Sequence, residues 1–117
     1  MVITKGLDLD AFAEFFDLMG ASRGQLWLDA FLQRLNDLFV DSLPDIPDRE
    51  SLFQRTHSIV GSAGIVGCVD LVDVCIRLQD ACQSGQEIAA LYLAAQKAAR
   101  QADIAVRFAD CRLGLNV

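Results

Sequence analysis

Apolar residues recur at three- and four-residue spacings along nearly the whole chain, and no stretch shows the β-branched alternation of a half-buried strand. Five helices follow from that pattern. A short first helix runs from Asp8 to Met19, with Leu9, Phe12, Phe16 and Met19 on one face, and stops at Gly20. Ser22, followed three residues on by Gln25, has the form of a capping box and predicts the start of the second helix. That helix extends to about Leu43, with Leu28, Phe31, Leu32, Leu35, Leu38 and Phe39 toward the core, and the prolines at Pro44 and Pro47 end it. The third helix begins at Pro47 or Asp48 and reaches Val66. Gly67 marks a tight break before a fourth helix from Val69 to Ser84, which Gly85 stops. The fifth, from about Gln86 to Cys111, buries Ile88, Leu91, Ala95, Ala98, Ala102, Ala105 and Ala109, small residues that let a neighbouring helix come close.

Four long amphipathic helices with short breaks predict an all-α fold, an antiparallel up-and-down four-helix bundle, with the short additional N-terminal helix capping one end. A chain of 117 residues supports one hydrophobic core and not two, so residues 1–117 are expected to form a single domain.

Composition narrows the classes of function. A net charge of −6, with Lys5 and Lys97 the only lysines, argues against a nucleic-acid or anionic-membrane surface, both of which reward clustered cations. The first residues lack the order of a secretory signal, and no apolar run approaches about 18 residues, so no membrane insertion is expected and the cytoplasm is the expected location. Cys68, Cys75 and Cys82 repeat every seven residues on one stripe with Leu71 and Leu78. That spacing separates neighbours by roughly 10 Å, beyond the ~7 Å that a disulfide spans. They read as buried thiols, and without a Cys/His ligand cluster no metal site is expected.

The chemistry concentrates in residues 56–67, THSIVGSAGIVG, which hold the only histidine and three of the eight glycines. Leu52, Thr56, Ile59, Ala63 and Val66 share the core side of the third helix. At 100° per residue, His57 falls roughly 145° from the centre of that side, with Glu50, Gly61 and Gly64. The histidine is therefore expected to face solvent. A helical glycine costs about 1 kcal/mol relative to alanine, and core packing does not explain two of them on an outward face. Missing side chains give access: the backbone of another protein can approach a neutral imidazole nitrogen, a nucleophile suited to phosphoryl groups. The plainer alternative is a solvated surface histidine beside tolerated glycines. No second histidine, Ser-His-Asp order or phosphate-binding glycine loop equips the chain for catalysis alone.

His57-Ser58-Ile59-Val60-Gly61-Ser62-Ala63, with Gly67 following, resembles the HxxKGSA signature of histidine phosphotransfer (HPt) domains of two-component phosphorelays. Cys75-Ile76-Arg77-Leu78-Gln79 looks like the next helix of that family, and the specific likeness covers about residues 55 to 83. The resemblance implies a helical bundle in which His57 accepts a phosphoryl group from a response-regulator receiver aspartate and passes it to another receiver. It implies receiver domains as partners, and a hybrid sensor histidine kinase as a candidate source. It implies no cofactor in this chain, the Mg²⁺ belonging to the receiver. By the same resemblance Gln79 supports the imidazole or phosphoryl group and Gly61 gives room for docking, the alternative for Gln79 being a polar residue at the core edge; helix geometry adds Val60 and Gly64 to the expected docking surface.

Val60 departs from the signature, which commonly has lysine there. Lysine can offset phosphoryl charge through a charge-assisted hydrogen bond and valine cannot. Helical geometry places neither Arg55 nor Arg77 well for replacing it. The alternative function is therefore a docking module that binds receivers or kinases with phosphotransfer weakened or lost. Phe53 and Val60 flank the exposed face as an apolar rim, and for Phe53 partial burial against the neighbouring helix is the expectation.

Overall fold

Asp8 opens the first helix because its carboxylate accepts a hydrogen bond from the amide of Ala11 at 3.1 Å, satisfying a donor that the helix itself leaves orphaned. The computed structural model describes residues 3–39 and 46–112 and contains α1 (Leu9–Met19), α2 (Ala21–Leu38), α3 (Arg49–Ile65), α4 (Val69–Ser84) and α5 (Ala89–Arg112). The architecture is all-helical, and no strand occurs among the described residues.

The buried side of α1 is Phe12, Phe15 and Phe16, whereas Leu9, expected on that side, is 44% exposed at the helix start. Phe15 packs on Trp27 of α2 with ring centroids 4.9 Å apart, and Trp27 stacks on Phe31. Ser22 does not cap α2. Gly20, at φ 81° and ψ 157°, ends α1 and serves as the N-cap of α2, so the helix begins at Ala21 and Ser22 lies inside it. This abrupt corner brings Gly24 so near Phe16 that an added Cβ would sit 2.7 Å from the ring.

α2 ends at Leu38, earlier than the expected Leu43, and residues 40–45, with the proline at Pro44, lie outside the described residues. Arg55 donates to the carbonyl of Leu38 at 2.8 Å, placing a cation at the negative end of that helix. α3 and α4 form the most extensive helix pair, followed by α4 with α5, while α2 touches α5 more sparsely. Arg49 ties the start of α3 to the end of α4 through the carbonyls of Ala81 (2.9 Å) and Gly85 (3.4 Å).

The break between α3 and α4 is a packed corner. Gly67 has φ +84°, and a Cβ there would lie 2.6 Å from the carbonyl oxygen of Asp8. Its own carbonyl accepts the Asp8 amide at 2.7 Å, and Leu7 pairs with Cys68 in an isolated antiparallel bridge. Gly85 ends α4 in the left-handed region, as expected. α5 starts at Ala89 rather than Gln86, with the Glu87 carboxylate accepting the Ala89 amide at 2.8 Å.

Candidate functional site

Helix α3 has two chemically distinct sides. Leu52, Thr56, Ile59 and Ala63 are fully buried, and the Thr56 hydroxyl, 3.0 Å from the carbonyls of Leu52 and Phe53, is satisfied within its own helix. Glu50, Gln54, His57, Gly61 and Gly64 are exposed. His57 thus projects to solvent near the middle of the helix, as the 100° spacing predicts.

Around the imidazole the helix surface is low. A Cβ built on Gly61 or Gly64 would meet nothing within 4 Å, so neither glycine makes room for a packed neighbour among the described residues. Val60 is half-buried and packs against the core cluster. Phe53 is half-buried, and its ring lies along the imidazole, with centroids 5.9 Å apart and planes 8° from parallel. Neither ring nitrogen of His57 hydrogen-bonds a described residue. Sequence reasoning missed this stack, although the i, i+4 spacing of Phe53 and His57 carries the signal.

Gln79 is half-buried on α4, the helix most extensively packed against α3, and no hydrogen bond joins it to His57. The arginines of α3 and α4 are engaged elsewhere. Arg49 holds the end of α4, Arg55 holds the end of α2, and Arg77 pairs with Asp73 one turn away on its own helix. Lys97 is exposed on α5, and Lys5 precedes α1. Each of the three arginines of α3 and α4 already has a partner.

The cysteines are all free thiols. Burial pushes Cys68 and Cys75 up to about 12, so both stay protonated and unreactive near neutrality. Among the described residues, no three His, Cys, Asp or Glu side chains converge as metal ligands. A groove of about 590 Å³ between α2 and α5, floored by Leu32, Leu35 and Ala99, contains no residue of α3 or α4 and is separate from His57. No helix of the described residues is long and apolar enough to cross a membrane.

Comparison with protein-family models matches residues 25–108, most of the chain, to the Hpt domain. The chain belongs to the Hpt domain family. That match starts inside α2 and ends inside α5, so it contains all of α3 and α4 with His57, Val60, Gly61, Gly64 and Gln79, and leaves α1 outside. Hpt domains act in phosphotransfer within two-component systems, where they meet receiver domains and kinases. Comparisons with curated proteins and with solved structures returned no match.

Proposed function

We propose that this Hpt domain is a phosphocarrier, with His57 as the phospho-acceptor. In the step envisaged, a ring nitrogen of His57 attacks the phosphorus of a receiver's aspartyl phosphate. The new P–N bond forms as the acyl P–O bond breaks, and that electron pair returns to the aspartate carboxylate. The reverse step delivers the phosphoryl group to another receiver. Mg²⁺ and the acidic pocket that holds it belong to the receiver, in the cytoplasm, and a hybrid sensor histidine kinase is the proposed upstream source. Residues 1–117 act as one domain, with α2 to α5 as an antiparallel up-and-down bundle and α1 at one end.

The observation that carries this reading is the exposed His57 beside Gly61 and Gly64, whose missing side chains leave open space and satisfy no internal packing need. Val60, Gly61 and Gly64 form the docking surface in this reading. Gln79 swings to the phosphorylated ring as a hydrogen-bond donor. Incubation with a radiolabelled phospho-receiver should give acid-labile label on the wild type and none on His57→Gln; equal labelling of the variant would refute the assignment.

Val60, with Arg49, Arg55 and Arg77 all engaged, supports a second reading in which the domain docks receivers without carrying phosphate. Receiver binding that survives His57→Ala, together with an unlabelled wild type, would favour it.

A further inference from the structure

We propose that Phe53 is the positioning residue for His57, holding the imidazole in the orientation from which it takes up a phosphoryl group; this rests on the carrier reading above. No hydrogen bond to a described residue sets the angle of the His57 ring, and Gly61 and Gly64 provide no side chain to lean on. Lateral support comes from one turn earlier, where the Phe53 ring lies 8° from parallel at 5.9 Å. Helical side chains lean toward the N-terminus, so an imidazole resting on the residue at i−4 follows the direction the helix favours.

The stack suits the chemistry. Both ring nitrogens lie in the imidazole plane and attack along it, so an aromatic contact on one face restricts rotation while leaving the nucleophilic edge clear. On attack the ring becomes cationic until its second nitrogen releases a proton to water, and an aromatic face attracts that charge. An apolar side chain that merely filled space at residue 53 would lack both the flat face that aligns the ring and the attraction for its charge.

Phosphoramidate tests this on the full chain without receiver docking: His57 attacks phosphorus, the donor P–N bond breaks and ammonia leaves. His57 is the only histidine, so its ring protons in NMR and its phosphorus signal report on one site. The wild type should show ring protons displaced upfield by the phenyl current. Phe53→Leu should lose that displacement and react roughly three- to ten-fold more slowly at saturating donor, with KM unchanged. Phe53→Tyr should restore both, and Phe53→Met replaces the leucine variant if that variant fails to fold. A leucine or methionine variant reacting at the wild-type rate, or a wild type without the upfield displacement, overturns the proposal. Failure of the carrier reading is distinguishable: the displacement persists, but His57 takes phosphate from neither phosphoramidate nor a receiver, and the positioning role falls with it.

Discussion

Gly61 and Gly67 lie six residues apart and owe their presence to opposite circumstances. Gly67 is buried, has φ +84°, and would drive a Cβ to 2.6 Å from a backbone carbonyl. Gly61 is exposed within a helix, and a Cβ there would meet nothing. The corner requires glycine for the chain to close on itself. The face of α3 imposes no such requirement among the described residues, and its glycine weakens the helix without relieving a contact there. Two positions in one short motif thus separate a glycine that the fold demands from one that internal packing does not.

The strongest challenge to that contrast is Gly67→Ala, which imposes left-handed backbone strain and a clash with the Asp8 carbonyl. It should lower stability by about 2–4 kcal/mol in a urea melt. An unchanged melt would mean that the corner has slack, and the contrast would collapse.

Enclosure also separates the acids. Asp110 is 7% exposed, and its Oδ1 and the Oε1 of Gln25 are buried without partners. Burial raises the Asp110 carboxyl above the usual range, with nearby Asp29 adding to the rise and a hydrogen bond from Gln25 opposing it. Because the folded state holds this proton more tightly than the unfolded one, its contribution to stability is full at acid pH and is lost as pH rises through the raised value. Asp110→Asn should therefore stabilise the protein by about 1 kcal/mol at neutral pH. The gain should vanish near about pH 3, where the aspartate is protonated in both states. Thermal melts at the two pH values check this, and a loss of stability at neutral pH would contradict it.

The smallest effect has the opposite sign to the corner's. Gly61→Ala should add about 0.5–1 kcal/mol of stability, because it improves helix propensity without a clash. The same variant should slow phosphotransfer from a receiver several-fold while leaving the reaction with phosphoramidate unchanged. Stability and transfer changing in the same direction would remove the distinction between the two glycines.

The outward direction of His57 was readable because α3 keeps a regular period over a buried stripe, and so were the breaks at Gly67 and Gly85, where backbone geometry selects glycine. The start of α2 was misread because Ser22 and Gln25 offer a plausible local cap. The tight packing of Gly24 on Phe16 goes with a turn at Gly20 instead, a tertiary demand with no local signature. The start of α5 moved to Ala89 for a related reason, since Glu87 turns its carboxylate to the backbone outside the helix. Phe53 was legible as a neighbour of His57 by spacing. The near-parallel setting of its ring on the imidazole depends on side-chain orientation, which periodicity does not encode.

Mechanically, α3 is a beam clamped at both ends and thinned just beyond its middle, toward the C-terminal end. Asp48 and Arg49 fasten one end, through the Ser51 amide at 2.8 Å and the carbonyls that close α4, and the Cys68 amide on the Ala63 carbonyl at 2.9 Å fastens the other. An approaching surface meets a shallow notch in a stiff member rather than a wall or a loose end, so contact at the histidine need not be accompanied by bending of the frame beneath it.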